Sequence, residues 1–522
     1  MRRLSIVLFL VFVSTVAGPR SDGLLASARP GGGSSFSGGS RSSSGSSRSS
    51  GSSSSRSSSS SGSNSSGSSR YGGSSSGSDD FGLIGLLFST GIGGFGFVGF
   101  VIFVMVLAAV MKSQAGRLNW EAGTAEPETP RERIRPLLEQ IRADDPNFSI
   151  VLLEDFLYAL YAQAHTLRGE GALERLSSHM RPAAREAMTA LGPVRGVRSI
   201  IVGAMRFLSV DGVRPGAPLV RLGVEFESNY SETPDGRAEQ SFYGRETWTL
   251  SRARGVLSRT PDRARVFVCP SCGAPLDTMA GGRCQYCQTA VDTGQFDWVV
   301  EAIAMSERET RGPLLTGTTE EKGTDRPTVV DRDLTARFAE LTRRDPTFVW
   351  PAFQARVAMI FAAMQTSWSN REWAQVRPFV SDNLFQMLAY WIDAYKKERL
   401  RNVTEGARIE RIELARISSD RFFDALTVRL FATSLDYTIT DGEPPRVVAG
   451  SRQKQRRYSE YWTLIRSAGK TGAARADASC PSCGAPLRIE MAGHCAYCRA
   501  KVTSGEFDWV LSRIEQDDVY DG

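Results

Sequence analysis

All eight cysteines of this chain fall into two copies of one spacing. Cys269, Cys272, Cys284 and Cys287 stand in CPSCGAPLDTMAGGRCQYC, and Cys480, Cys483, Cys495 and Cys498 in CPSCGAPLRIEMAGHCAYC. Both read C-x2-C-x11-C-x2-C. Two close thiolate pairs joined by a short hairpin set four sulfurs at the corners of a tetrahedron, the coordination that Zn²⁺ prefers. Every ligand position is a thiolate, which leaves no open coordination site, so the two expected zinc ions are structural. The competing reading of the same spacing is paired disulfides or free thiols. The repetition also runs past the cysteines: VDTGQFDWVV (291–300) follows the first motif and VTSGEFDWVL (502–511) the second. The ribbons 269–287 and 480–498 therefore belong to a larger unit, and the chain must fold that unit twice.

Upstream the two copies keep register. Asp145-Pro146-Asn147-Phe148 returns as Asp345-Pro346-Thr347-Phe348. After each comes an apolar stripe: Leu153, Leu157, Leu160, Tyr161 and Ala164 match Phe353, Val357, Ile360, Phe361 and Met364. That i, i+4, i+7, i+8, i+11 pattern predicts a helix with one face in a core. A second helix is expected over 172–190 and 381–399, the latter capped by Ser381 with Leu384, Leu388, Ile392 and Tyr395 inward. β-rich stretches follow at 197–210 and 408–418, then 220–226 and 425–432. Glu246-Thr247-Trp248-Thr249-Leu250-Ser251-Arg252 matches Glu460-Tyr461-Trp462-Thr463-Leu464-Ile465-Arg466. The alternation in FDWVV and FDWVL predicts a closing strand, with a terminal helix as the alternative. Each ribbon is then an excursion in the hairpin joining the last two strands. Helices followed by antiparallel strands give an α+β unit. The first copy spans 131–308 and the second 331–518, with a polar linker at 309–330.

The N-terminal part is different in kind. Arg2 and Arg3 precede a short apolar run ending in small residues, the layout of a signal segment over 1–18, either cleaved after Ala17 or Gly18 or kept as an anchor. Residues 19–80, mostly Ser and Gly, cannot build a core and read as a disordered tether. Phe81 to Met111 carries no charge. As a helix it would be about 46 Å long, so 81–112 holds one membrane-spanning segment, placed at 91–111. Lys112 and Arg117 follow it and Asp79 and Asp80 precede it, which puts the two copies in the cytoplasm and the tether across the membrane. A reducing compartment favours zinc over disulfides. The formal charge of +6 permits an anionic partner without requiring one.

The DPxF turn, the apolar helix carrying Gln365-Thr366-Ser367-Trp368 and the E-x-W-T-L-x-R strand together resemble the domain of the translocase of inner membrane subunit 44-like family. A leader, a Ser/Gly tract and a Gly-rich apolar segment ahead of the domain are similar to its bacterial members. The first copy departs from the pattern where Arg168 stands in place of Trp368, and the ribbons lie outside it. The resemblance implies two tandem cone-shaped domains of the nuclear-transport-factor-2-like kind, with helices across a curved antiparallel sheet. It also implies a bacterial inner-membrane protein, single-pass once the signal is removed. The role it implies is that of a membrane-anchored scaffold or adaptor recruiting a protein partner, such as a chaperone or translocation machinery, with contact to anionic lipid as part of the expectation.

Cone folds that are enzymes need inward acid/base groups, and Asp155 and Tyr243 are the candidates. Asp155 lies off the apolar stripe and Tyr243 has no evident partner, so no enzyme is expected. Three histidines offer no His-based site either, since His165 and His179 lack a partner pattern and His494 sits inside a ribbon loop. Lys396–Arg401 and Arg452–Arg457 are basic runs suited to anionic lipid. With Arg283, Arg488, Arg499 and Lys501 of the ribbons, they also carry the alternative of nucleic-acid or ribosome anchoring.

Overall fold

The computed structural model describes residues 29–30, 122–123 and 133–522, apart from 215, 235, 294, 314, 317–320, 478 and 521. The expected signal segment (1–18), the expected spanning segment (81–112) and most of the expected tether (19–80) lie outside the described residues. Among the described residues no helix is long and apolar enough to cross a membrane.

The first copy runs α1 (Ile134–Leu138, prolonged by a 3-10 turn, Glu139–Ala143), α2 (Ile150–Gly169), α3 (Pro182–Thr189), β1 (Val194–Asp211), β2 (Leu219–Pro234), β3 (Gln240–Ala253) and β4 (Val299–Thr310). The second runs α4 (Leu334–Arg344), α5 (Trp350–Asn370), α6 (Asp382–Lys397), β5 (Leu400–Ser419), β6 (Phe423–Thr440), β7 (Val447–Ser467) and β8 (Val510–Gln516). Both sheets are four-stranded antiparallel meanders in chain order. The ribbons interrupt the β3–β4 and β7–β8 connections, as expected.

Local signals explain the helix boundaries. The Ser149 hydroxyl accepts from Leu152 N–H at the start of α2, and Ser381 does the same for Leu384 at α6, each quieting an orphan helix-end donor. The matched stripes are buried in both copies, and each copy has its own core, with Trp248 in one and Trp462 in the other. The second helix of the first copy is shorter than the 172–190 expected. It breaks into a 3-10 turn at Leu173–Leu176 and the short α3. Pro182 drives Arg181 into extended backbone (ψ 158°), so one helix cannot run through. The closing strands form, and no terminal helix does, but the strands begin at Val299 and Val510. Trp298 and Trp509 precede them and plug the two cores.

The two copies are bolted together. Leu152 and Ala264 of the first pack with Phe423 and Ile465 of the second. Around that apolar spot, Arg135 meets Glu515 at 2.8 Å. Arg513 bonds Glu154 and Glu515. Glu139 takes Arg416 at 2.8 Å and Arg337 at 2.9 Å. The linker is also engaged: Leu315 is buried, and the Arg429 guanidinium donates to the carbonyls of Arg326 (2.7 Å) and Gly323 (2.8 Å).

Candidate metal centres and buried polar sites

The four sulfurs of each ribbon lie within 4.8 Å of one another. Cys269 and Cys287 are 3.9 Å apart, Cys272 and Cys284 3.8 Å, and Cys480 and Cys498 3.9 Å. A tetrahedron with Zn–S bonds of about 2.3 Å has edges of about 3.8 Å, so the spacing fits one zinc ion per ribbon. The backbone makes the fit. Cys269 N–H donates to Ala274 O at 2.7 Å and Gly273 N–H to Cys269 O at 2.8 Å, closing a tight knuckle that needs Gly273 at φ 77°. Cys480, Ala485 and Gly484 (φ 74°) repeat it. The second knuckle of each ribbon turns through a left-handed non-glycine residue, Gln288 (φ 59°) or Arg499 (φ 63°). Within each cluster one thiol is pulled down, Cys287 by its hydrogen bonds with Thr289 and Cys498 by the Ala500 backbone bond, while its neighbour Cys272 or Cys483 is pushed up, against a backbone bond with Ala274 or Ala485, by burial and by the other sulfurs. Each ribbon is docked on its copy. Gly282 N–H reaches Glu174, while Arg377 Nε donates to Met491 O at 2.8 Å and Lys501 Nζ to Asp382 at 2.9 Å.

The other repeated signatures meet just behind the ribbons. The DPxF aspartate and the E-x-W-T-L-x-R arginine pair in both copies: Asp145 with Arg252 at 3.0 Å and Asp345 with Arg466 at 2.9 Å. Asp145 also accepts from Ser258 N–H (2.9 Å), and Asp345 from Gly472 N–H (3.2 Å). Each guanidinium lies over the tryptophan of FDW, 4.9 Å from Trp298 and 4.5 Å from Trp509. Three motifs scattered along each copy thus form one latch at the ribbon's root.

The two acid/base candidates are not brought together. Asp155 lies on the side of α2 that faces the second copy, where Oδ1 accepts from Asn383 Nδ2 at 2.5 Å. Burial pushes its carboxyl up to about 6, against the pull of Arg265. On β3, Glu246, Trp248 and Leu250 point toward the helices, so Tyr243 points away. Its hydroxyl donates to Glu227 at 3.1 Å in a cross-strand ladder with Arg206 and Arg245. The basic runs also divide: Lys396, Lys397, Arg399, Arg452 and Arg457 are exposed, whereas Arg456 is buried on Asp436 at 3.0 Å.

Sequence reasoning missed the partners of two histidines. His165 Nε2 lies 3.0 Å from Glu246 Oε1, which also accepts from the Tyr161 hydroxyl at 2.7 Å, while Trp248 Nε1 donates to Oε2 at 2.8 Å. Burial raises the Glu246 carboxyl, but His165, Trp248 and Tyr161 outweigh it and hold it below the usual range. All of these side chains are sealed from solvent. The signal that could have found the site is the position of His165, one turn beyond Tyr161 on the core-facing stripe.

His179 sits against Phe156 and Phe267 with Nδ1 3.2 Å from Trp298 O. Burial depresses its pKa to about 4, with Arg259 adding to the effect and Asp297 opposing it. A depressed histidine stabilises the fold above its unfolded value of about 6.5, and that contribution disappears as pH falls through about 4. The shift corresponds to roughly 3 kcal/mol. The second copy has Phe379 at the equivalent position. Hydrogen exchange between pH 7 and pH 4.5 is therefore expected to show α2, α3 and β4 loosening before α5, α6 and β8. His179→Phe is expected to remove the difference, and equal loosening of both copies in wild type would refute the assignment.

Comparison with known proteins places a likeness on the second copy. The Tim44-like domain profile matches residues 334–474, from the start of α4 past the end of β7, and stops before the ribbon. No curated protein matches the chain. Among solved structures, an "Ntf2 like protein involved in plasmid conjugation" aligns over 69% of this chain and 92% of its own, at 8% identity and a TM-score of 0.16, too loose a superposition to inform the fold.

Proposed function

We propose that the chain is a membrane-anchored adaptor of the Tim44-like kind, two cone-shaped units in tandem, each stapled by a structural zinc, that holds a protein partner at the cytoplasmic face of a bacterial inner membrane. The observation that carries this reading is the Tim44-like match over the helices and first three strands of the second copy. Such domains are associated with membranes, and a role in translocation or chaperone recruitment follows from that likeness. The apolar segment at 81–112 supplies the anchor and the reducing compartment suits the thiolates. The exposed basic residues for lipid contact are Lys396, Lys397 and Arg399 at the end of α6 and Arg452 and Arg457 along the first half of β7.

Each basic residue near an anionic surface strengthens binding several-fold, and salt screens the effect. Reversing the charge of these five residues is expected to weaken association with phosphatidylglycerol vesicles by tenfold or more at low salt, without loss of folding. Unchanged binding would overturn the lipid contact. Phosphatase fused after residue 130 is expected to be inactive, and activity there would overturn the cytoplasmic placement.

A second reading, anchoring of RNA or ribosomes, has one specific observation behind it. Tyr286 and Tyr497 are 80% and 53% exposed at the ribbon tips, next to Arg283 and Arg499, an arrangement on which bases can stack. Structured RNA that displaces the protein from vesicles, or binds it with an affinity dependent on both tyrosines, would favour this reading.

A further inference from the structure

The buried glutamates Glu246 and Glu460 occupy matched positions, yet their surroundings have diverged. In the first copy Glu246 is satisfied from within by Tyr161, His165 and Trp248. In the second, only Trp462 remains, donating to Glu460 at 2.8 Å. Phe361 stands where Tyr161 does and Gln365 where His165 does. The strand registers also make Ala432 the counterpart of Ser228, and Tyr458 that of Gly244. Glu460 is completely buried and keeps, of the three groups that satisfy Glu246, the tryptophan alone, while the nearby buried cation Arg456 is engaged by Glu321 (2.5 Å) and Asp436 (3.0 Å). A lone buried carboxylate of this kind is strongly unfavourable.

The cation comes from far away in the chain. The Arg29 guanidinium, itself completely buried, donates to Glu460 and, through Nε (3.2 Å) and Nη2 (2.9 Å), to Glu321. It stacks 3.7 Å from the centre of the Tyr458 ring. Gln516 Oε1 accepts from Nη2 at 3.5 Å and its Nε2 donates to Glu460 at 3.3 Å. A planar fork on two carboxylates with an aromatic lid is the recognition chemistry of guanidinium, which an ammonium cannot reproduce.

We infer that the second copy carries an arginine-binding pocket, built from Glu321, Glu460, Tyr458 and Gln516, whose ligand is a guanidinium side chain. The pocket's chemistry does not depend on the adaptor reading. Arg29 precedes the apolar segment 81–112 and Glu460 follows it. A chain that crosses a bilayer once in that segment offers the pocket to an arginine of another protein. A chain that does not cross there keeps Arg29 in place.

The test uses full-length protein in detergent and a capped pentapeptide of residues 27–31, Ser-Ala-Arg-Pro-Gly, with its lysine counterpart as control. Binding is read by tryptophan fluorescence and calorimetry. If Arg29 of the same chain is the occupant, wild type binds neither peptide, while Arg29→Ala binds the arginine peptide at least tenfold tighter than the lysine one. If the occupant comes from a partner, wild type and Arg29→Ala both bind the arginine peptide with that preference. Transplanting the first copy's partners into Arg29→Ala, as Phe361→Tyr with Gln365→His and Ala432→Ser, is expected to abolish the binding that Arg29→Ala alone shows, in a folded protein, by satisfying Glu460 internally. Failure of both wild type and Arg29→Ala to distinguish arginine from lysine overturns the pocket. So does unchanged binding by the transplant.

Discussion

Zinc chelation is expected to unfold both ribbons and free the strands that follow them. Metal analysis of full-length protein should give two zinc ions per chain, and Cys480→Ser should reduce this to one. Four-thiolate zinc sites contribute on the order of 10–16 kcal/mol of binding free energy, far more than a small ribbon can gain from its own core. That core is slight here: Cys269, Met279, Cys284 and Val291 in one ribbon, and Cys480, Cys495 and Val502 in the other. The chelated protein should therefore lose exchange protection first at 269–291 and 480–502, then at β4 and β8. Intact disulfides in protein isolated with thiol trapping would refute the zinc assignment.

The second large effect belongs to the latch. Asp345→Ala is expected to destabilise the second copy by about 3–5 kcal/mol, the range seen when one member of a buried pair is removed and its partner stays charged. Asp345 and Arg466 are 2% exposed in each case, which makes the site severe. Replacing both, Asp345→Ala with Arg466→Met, should recover much of the loss, because the penalty lies in the unpaired charge. Asp145→Ala should act likewise in the first copy. Burial raises the Asp345 carboxyl, but bonds from Thr347 and Gly472 and the Arg466 charge more than offset it, leaving it below the ordinary value. A depressed carboxylate stabilises above its unfolded pKa of about 3.9 and loses that contribution as pH falls below it. Denaturant unfolding at pH 7 and pH 3 measures both. Equal losses for the single and double variants would show that packing, rather than charge, dominates.

Periodicity and spacing made most of the scaffold legible. The stripe from Leu153 to Ala164 and its match at Phe353 to Met364 repeat at helical intervals, so their burial could be read before any coordinate. The two clusters of four cysteines were equally open, because the knuckle spacing is local. What stayed hidden was pairing across long separations. His165 and Glu246 are 81 residues apart, and neither carries a local mark of the other. Tyr243 faces away from the helices, not inward, because strand parity depends on which neighbour is buried, and Trp248 settles that only in the folded sheet. Arg456 looked like one more surface charge in a basic run, yet strand alternation turns it inward while Arg457 faces solvent. Asp155 is an acid/base candidate by residue type, and its place off the apolar stripe speaks against that role. Its partner, Asn383, belongs to the other copy, which no pattern within one copy could reveal.

The position of each ribbon inside a hairpin has a kinetic consequence. The strands on either side of it are the last two of the meander, and residues 254–298 or 468–509 must be crossed before the edge strand can pair. Closing so long a connection costs entropy before any contact rewards it, and pairing across it is slow for that reason. A metal held by the four cysteines inside the connection would draw its ends together ahead of the strand. During synthesis the edge strand emerges after the fourth cysteine, so a metal taken up by the cysteine cluster would set the order of assembly: ribbon first, then closure of the sheet. In metal-starved cells the chain would linger with an open edge on β3 and β7, a row of unpaired backbone groups of the kind that seeds aggregation.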